Sequence, residues 1–242
     1  MYANIAEEKE MDELFTLAQA LADPLRLSVL QHLMEGPTTV SELQSLTGQS
    51  QSNISNHLAL LRERGLVHAS RKGRHMIYTL HDASVGQLVE SLTLVAGRVP
   101  AKVWKSPQLI LARTCYDHLA GRYGVALFEA LLLQGAITRP QEVRGEVALG
   151  PAGAALFHRL GLNIEALRRE RRRFAFACPD WTERLPHLGG GLGAALWATF
   201  VEKSWVVTQQ GTRAVIVTDR GKQALRDQFN IHVSDSGPLD ES

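Results

Sequence analysis

Two short stretches of the sequence each hold a thiol, a carboxylate and an imidazole within ten residues. These are Cys115, Asp117 and His118, and then Cys178, Asp180 and His187. Two thiols with one or two imidazoles suit a soft ion such as zinc or copper(I), or a trivalent arsenical. The two cysteines could instead form a redox pair. The sequence therefore predicts a candidate metal or effector site at Cys115, His118, Cys178 and His187.

The elements that carry these residues decide whether they can act together. We predict one long helix or two abutting helices over 107–135, so that Cys115 and His118 share one helix face. Nothing in the sequence brings Cys115 near Cys178, and a buried Cys that packs as a small hydrophobe is an ordinary alternative. The second half of the chain also holds Trp and Tyr residues that could line an apolar pocket for an organic effector, or simply fill a core.

A second kind of chemistry is indicated by residues 50–66. Ile54, Leu58 and Leu61 recur at helical spacing and predict a buried stripe. The other positions carry short hydrogen-bonding side chains, which can reach the donors and acceptors on base edges in a DNA major groove. The stretch is therefore a candidate recognition helix.

The surrounding pattern supplies the elements that would position this helix. Helices are predicted over 11–22, from Pro24 to Glu35 and from Thr38 or Thr39 to Leu46. Gly65 ends the polar helix, strands over 66–70 and 74–80 flank a basic tip, and a last helix follows over 84–97. This order is typical of a winged helix-turn-helix, in which the third helix braces the fourth and the hairpin meets phosphates or the minor groove.

The predicted DNA contacts fall into two groups. Side chains of the recognition helix would read bases, whereas Arg side chains at its end and cations of the hairpin would contact phosphates. Between residues 50 and 75 five Arg or Lys face one Glu, so positive charge is concentrated here. The predicted contact residues are Gln51, Ser52, Asn53, Ser55, Asn56, His57, Arg62, Arg64, Arg71, Lys72 and Arg74.

Composition narrows the class of protein. The 242 residues are 45% hydrophobic and 21% charged with a formal net charge of +1, as in a globular protein of one or two domains. Two cysteines do not make a disulfide scaffold in a chain of this size, no leader pattern opens the chain, and no apolar run reaches the roughly 18–20 residues that span a bilayer. We expect a cytoplasmic protein without membrane association.

The fold is predicted to be mainly α, of the α+β type. A winged helix-turn-helix domain over 10–97 would be followed by a linker over 98–107, an α+β C-terminal domain over 108–233 and a disordered tail over 234–242. Within the C-terminal domain, the stretch from Val147 to Asn163 resembles the stretch from Val215 to Asn230. This similarity is compatible with a duplicated strand-turn-helix unit or with coincidence.

Several motifs occur in an order that resembles the ArsR/SmtB family of bacterial transcriptional regulators. They are Ala22-Asp-Pro-Leu-Arg-Leu-Ser-Val-Leu30, Thr39-Val-Ser-Glu-Leu43, Ser50-Gln-Ser-Asn-Ile-Ser-Asn-His-Leu58 and Leu61-Arg-Glu-Arg-Gly-Leu-Val67. The resemblance covers about residues 10–97. It implies a homodimer built on the first and last helices of the domain, which represses a nearby operon until an effector binds. Its two recognition helices would read an inverted repeat in double-stranded DNA.

The chain departs from the metal sensors of that family. Where such sensors carry a pattern like Glu-Leu-Cys-Val-Cys, this chain has Glu42-Leu-Gln-Ser-Leu46, without a thiol. Asp82 is the only clear candidate for the other known site, on the last helix. The C-terminal extension resembles that of a longer subgroup, at residues 113–121 and 178–189, and this resemblance names no ligand.

We predict a sequence-specific DNA-binding regulator, most simply a repressor released by a metal or small-molecule effector at the C-terminal domain, and not an enzyme. No phosphate-binding glycine loop, nucleophile elbow or zinc-protease helix is present in the sequence. The alternatives are a winged-helix module that binds protein rather than specific DNA, and a C-terminal domain with thiol- or metal-dependent chemistry.

Overall fold

The computed structural model describes residues 2–96, 106–142, 144–209 and 212–234. The chain divides into two compact units, and the division falls at the end of the helix that closes the first unit. Most of the predicted linker and all but the first residue of the predicted tail lie outside the described residues.

The first unit is a winged helix-turn-helix. Its elements are α1 (Tyr2–Leu21), α2 (Pro24–Glu35), α3 (Val40–Thr47), α4 (Gln51–Glu63), β1 (Val67–Lys72), β2 (His75–Leu80) and α5 (Ala83–Val95). This order confirms the predicted one. The structure differs in that α1 begins well before residue 11 and the strands extend to a tight turn at Gly73 and Arg74.

Local capping explains why these helices begin where they do. Asp23 accepts a hydrogen bond from the Arg26 backbone at the start of α2, and Ser50 accepts one from the Asn53 backbone at the start of α4. Thr39 and Glu42 form a reciprocal capping box on α3. Each cap pairs backbone N–H groups that a helix cannot pair within itself.

The second unit combines short hairpins with helices. Its elements are α6 (Pro107–Leu111), β3 (Arg113–Cys115), β4 (His118–Ala120), α7 (Arg122–Leu133), α8 (Gly153–Leu160), α9 (Ile164–Arg169), β5 (Phe176–Pro179), β6 (Pro186–Gly189), α10 (Gly190–Glu202), β7 (Val206–Thr208), β8 (Val215–Val217) and α11 (Asp219–Phe229). The strands pair as antiparallel hairpins in sequence order. One continuous apolar core, which includes Phe128, Phe157 and Phe200, joins the helices.

The prediction of one long helix or two abutting helices over 107–135 is wrong for residues 113–120. Residues 113–120 form the β3–β4 hairpin, in which Cys115 pairs with His118 across a two-residue loop and Tyr116 adopts a φ of +60°. Short apolar runs do not distinguish strand from helix by their periodicity. Here the choice depends on contacts with residues far along the chain, which are described below.

The second unit consists of two similar halves, residues 113–160 and 176–229. Each half has a hairpin, a long helix, a second antiparallel pair and a final helix; in the first half that second pair is the Ile137–Leu149 bridge. Each long helix packs mainly on a strand of the other half: α7 packs on β6, and α10 packs on β4. The predicted strand-turn-helix similarity corresponds to the end of each half.

Within the part of the chain that the structure describes, no helix combines the length and the apolar character needed to cross a bilayer.

Candidate DNA-binding surface and candidate metal centre

The α4 helix presents the face that the sequence predicted. Ile54, Leu58 and Leu61 are fully buried on the side of α4, which packs on α2, α3 and β1. Ser55 and Asn56 are exposed, and neither side chain makes a hydrogen bond to the described residues. An exposed helix face with unengaged short polar side chains is what contact with base edges requires.

Other predicted contact residues of α4 are partly engaged inside the protein. The Asn53 amide donates to Gln49 Oε1 at 3.0 Å, and the Ser52 hydroxyl lies 3.2 Å from that of Ser50. His57 is half-buried, with its Nδ1 atom 3.8 Å from Asp23 Oδ1 at the start of α2. His57 therefore lies beside the start of α2, the helix against which α4 packs. Gln51 is exposed at the start of α4.

The predicted phosphate-binding cations are all exposed. Arg62 and Arg64 lie at the end of α4, and Arg71, Lys72 and Arg74 lie at the tip of the hairpin. Gly73 has a φ of +63° and occupies the first central position of the tip, where a two-residue turn favours glycine. Arg71 Nε donates to the Gly73 carbonyl at 3.3 Å, which orients its side chain along the tip.

In the second unit, the four residues predicted as metal ligands come together. The Sγ atoms of Cys115 and Cys178 are 4.0 Å apart, and the Nε2 atoms of His118 and His187 are 3.2 Å apart. All four donor atoms lie within 4.8 Å of one another. Each hairpin contributes one Cys and one His from a cross-strand pair, so the cluster lies between the two halves of the unit.

These distances fit a tetrahedral zinc ion. With Zn–S bonds of about 2.3 Å and Zn–N bonds of about 2.0–2.1 Å, a tetrahedron places its two sulfurs roughly 3.8 Å apart and its two nitrogens roughly 3.3 Å apart. The two separations in the cluster differ from those values by only a few tenths of an ångström. Cys115, His118 and His187 are buried and Cys178 is half-buried, so water has little access to the centre.

A carboxylate lies beside the Nδ1 atom of each imidazole in the cluster. His118 Nδ1 lies 3.4 Å from Asp117 Oδ1, and His187 Nδ1 lies 3.1 Å from Asp180 Oδ2, in an ion-pair contact without the angle of a hydrogen bond. A ring that keeps its proton on Nδ1 presents the lone pair of Nε2. Two such lone pairs at 3.2 Å repel each other unless a metal ion or a shared proton lies between them.

Asp180 connects the two halves beneath this centre. It is fully buried and accepts hydrogen bonds from Arg113 Nη2 at 2.7 Å and from the Gly121 backbone at 2.8 Å, both in the first half. Burial alone would raise the pKa of Asp180, but Arg113 and His187 hold it well below its usual range. Trp181 packs under the Arg113 guanidinium at 4.4 Å.

The corresponding carboxylate of the first hairpin is more exposed. Asp117 pairs with Arg172 at 2.7 Å, and its contacts with His118 and Arg172 lower its pKa to about 2. Burial alone would lower the pKa of His187, but contacts with Asp180 and Cys115 raise it to about 9. In each half, one carboxylate contacts the histidine of its own hairpin and also an arginine that lies outside that half.

This contact between the two halves was not predicted from the sequence, although a repeated pattern indicates it. Both stretches read Cys-x-Asp, and both continue His-Leu-x-Gly-x-x-Gly, ending at Gly124 and Gly193. These glycines permit close packing: a Cβ at Gly193 would overlap the Leu188 carbonyl and lie 3.2 Å from the His118 Cβ. The repeated spacing therefore marks the positions where each helix approaches a histidine of the other half.

The other predicted chemical groups lie elsewhere. Tyr116 is exposed, Trp181 lies against Arg113, and Trp205 packs in the core against Phe200 with ring centroids 5.1 Å apart. These different surroundings do not support a shared aromatic effector pocket. Asp82 is used at the start of α5, where it accepts hydrogen bonds from the Ser84 backbone and hydroxyl.

Comparison with known proteins places the winged domain in a family. Residues 23–69 match the family described as bacterial regulatory protein, arsR family. The chain is 36% identical over 225 residues to an uncharacterized HTH-type transcriptional regulator, YdfF, of Bacillus subtilis, covering 90% of this chain and 97% of that protein. That similarity must extend through both units, because the winged domain alone is much shorter.

Two other relatives match a smaller part of this chain. The HTH-type transcriptional regulator NmtR of Mycobacterium tuberculosis is 44% identical over 72 residues, which cover 30% of this chain and 60% of that protein. The structure of reduced HlyU from Vibrio cholerae has a TM-score of 0.36 and 33% identity, over 38% of this chain and 98% of that chain.

Proposed function

The chain belongs to the ArsR family of bacterial regulatory proteins and is a DNA-binding transcriptional regulator; on that premise we propose that it is a repressor whose C-terminal unit binds a zinc ion as its effector. The α4 face would select the operator and the Cys115–His118–Cys178–His187 cluster would hold the metal. Zinc binding is supported by four donor atoms from two separate hairpins, which all lie within 4.8 Å of one another.

Base recognition by α4 rests on its exposed polar positions. Gln51, Ser52, Ser55 and Asn56 lie on the outer side of the helix, opposite the buried stripe. The cations at the end of α4 and at the hairpin tip would contact phosphates and provide affinity without sequence choice. His57 would contribute mainly by holding α4 against the start of α2, since it lies near Asp23.

A binding assay with the promoter of the protein's own gene tests this assignment. Changing Ser55 and Asn56 together to Ala is expected to raise the Kd for the promoter fragment by at least about tenfold, since a good base contact contributes about 1–3 kcal/mol. The Kd for unrelated DNA is expected to stay the same. Gln223→Ala, an exposed change in the second unit, is the control. Unchanged promoter affinity in the double variant would show that α4 does not read the operator.

We propose a homodimer formed by α1 and α5. Both helices leave large apolar side chains exposed, namely Met11, Leu14 and Phe15 on α1 and Leu92 and Val95 on α5. Clustered exposed apolar side chains are typical of protein interfaces, and a two-fold dimer suits an inverted-repeat operator. Leu14→Glu with Phe15→Glu is expected to give a monomer in sedimentation analysis; a dimer of unchanged stability would contradict the assignment of α1.

Zinc is the ion that the donor set favours. Two thiolates and two imidazoles in a tetrahedral arrangement match structural zinc sites, whereas copper(I) more often takes sulfur ligands alone. All four positions would be filled by protein atoms. Because a catalytic zinc keeps one position open for water or substrate, this closed set supports regulation or stability rather than enzymatic chemistry.

Metal analysis of the full-length protein, purified with reductant and without chelator, tests the site. We expect about one zinc per chain in the wild type and none in the variant with Cys115→Ser and Cys178→Ser. His118→Ala should also lose zinc, whereas His158→Ala, an exposed histidine of the same unit, should retain it. Cobalt(II) substitution should give the absorption of a tetrahedral thiolate complex. Equal zinc content in the wild type and the Cys variant would contradict the proposed ligands.

Regulation of DNA binding by zinc is measured separately from zinc content. Promoter affinity should differ at least about fivefold between zinc-loaded and zinc-free protein, the lower end of typical coupling between sites. Equal affinities with a filled site would mean that the metal stabilises the second unit without regulating DNA binding.

A further inference from the structure

The two thiols of the cluster are close enough to react with each other. Cys115 and Cys178 are 63 residues apart in sequence, yet their sulfur atoms are 4.0 Å apart and neither is in a disulfide. We propose that this pair is an oxidation site for hydroperoxides, which joins the two sulfurs in a reversible disulfide and thereby removes both thiolates from the metal site. Peroxide would then be a second input to the regulator. Only the loss of metal rests on the zinc site proposed above; the disulfide does not.

The geometry requires little movement. A disulfide brings its sulfurs to about 2.05 Å, so each sulfur must move by roughly 1 Å. Cys115 precedes the two-residue loop of its hairpin, and Cys178 lies in β5 close to the loop that follows. Both residues are thus near a hairpin end, and neither lies inside a helix that a displacement would break.

The two cysteines differ in burial, and this difference indicates which thiol reacts first with the peroxide. Cys178 is half-buried, whereas Cys115 is only 3% exposed. The more accessible Cys178 would therefore meet the oxidant first, and the buried Cys115 would complete the reaction as the resolving thiol.

The chemistry balances with the peroxide as the only oxidant. The Cys178 thiolate attacks one peroxide oxygen, an S–O bond forms, the O–O bond breaks, and hydroxide leaves to become water. The Cys115 thiolate then attacks the Cys178 sulfur, the S–S bond forms, and the S–O bond breaks to release a second hydroxide. In total two thiolates, one hydrogen peroxide and two protons give one disulfide and two waters.

Disulfide formation competes directly with metal binding. Only His118 and His187 remain as donors when both sulfurs are in a disulfide, and thiolates rather than disulfide sulfurs are the metal ligands of cysteine. A chain that holds zinc should therefore release it on oxidation. Bound metal should in turn slow the oxidation, because it occupies the lone pairs of the thiolates.

Hydrogen peroxide treatment of the reduced, zinc-loaded, full-length protein tests the proposal. Three readouts are followed together: zinc released to a chromogenic chelator, free thiols under denaturing conditions, and peptide mapping by mass spectrometry without reductant. We expect free thiols to fall from two to none per chain, a peptide linking Cys115 to Cys178 within one chain, and release of the bound zinc. A phosphine reductant should restore both thiols.

Two results would overturn the proposal: both thiols persisting under excess peroxide, or thiol loss that yields sulfinic acid or a link between chains. Zinc-free wild type is the matched comparison and should form the same link faster. If the protein never holds zinc, the zinc proposal fails while the thiol and peptide measurements still decide on the disulfide. Cys115→Ser should give no intrachain link, and its Cys178 should instead be oxidised irreversibly.

Discussion

The guanidinium of Arg113 and the carboxylate of Asp180 form a buried ion pair, 2.7 Å between Nη2 and Oδ1, that joins the two halves of the second unit. The same carboxylate faces His187 through its other oxygen. The pair therefore connects the packing of the halves to the orientation of a proposed metal ligand. Both side chains are almost completely excluded from water, so breaking the pair would leave a buried charge poorly compensated.

Asp180→Asn is expected to destabilise the second unit by about 3–5 kcal/mol, because it leaves the buried Arg113 cation uncompensated. Where the variant still folds, its zinc affinity should fall about 10–100-fold, the usual effect of losing a carboxylate behind a histidine ligand. Denaturant unfolding of the full-length protein and a zinc-competition titration measure the two effects.

Asp117→Asn is the matched control, since Asp117 faces His118 but is about one-third exposed and pairs with the partly exposed Arg172. An exposed ion pair contributes about 0–1 kcal/mol, so the loss of stability should be small. Equal destabilisation by the two variants would contradict the importance given to the buried pair.

Gly193→Ala is expected to lower both stability and zinc affinity. The added Cβ would overlap the Leu188 carbonyl and press on His118, and overpacking of this kind costs about 1–3 kcal/mol. Gly191→Ala in the same helix should be neutral or slightly stabilising, because its Cβ would meet its nearest neighbour at 3.6 Å. Thermal unfolding and zinc titration of the two variants provide the comparison, and similar behaviour of both would refute the close-packing argument.

Removing Arg71 and Arg74 together, each to Ala, should weaken binding to all DNA sequences alike. The plot of log affinity against log salt should become shallower by about 0.9 for each phosphate that the variant no longer neutralises. Titrations at several salt concentrations, with operator and unrelated DNA, measure this slope. Arg159→Ala, an exposed change in the second unit, should leave it unchanged. A double variant with the wild-type slope would exclude the hairpin tip from the DNA interface.

The stability of the first unit is expected to depend on pH through Asp82. Hydrogen bonds from Ser84, and then from His81, lower the pKa of Asp82 from 3.8 to about 2. The stabilisation is therefore complete above pH 3.8 and is lost as the pH falls through about 2. Asp82→Ala should cost about 1 kcal/mol near neutral pH, as loss of a helix cap does. Thermal unfolding should show the difference from wild type shrinking toward pH 2; a difference independent of pH would contradict this assignment.

Part of the candidate metal centre could be predicted from residue types alone. Cys115, His118, Cys178 and His187 were identified by their chemistry, although the first pair was placed on a helix rather than a hairpin. The partners behind the ligands were not identified, because Arg113 and Asp180 are 67 residues apart and neither stands out by its spacing. Their pairing depends on how the two halves pack.

The sequence by itself determined the order of elements in the first unit and the polar face of α4, although α1 begins earlier than predicted. The interactions that define those elements join residues only a few positions apart, so their spacing along the chain is sufficient to predict them. The tertiary structure alone decided that residues 113–120 form a hairpin and that Cys115 meets Cys178. Those outcomes depend on contacts between segments more than 60 residues apart, which local periodicity does not encode.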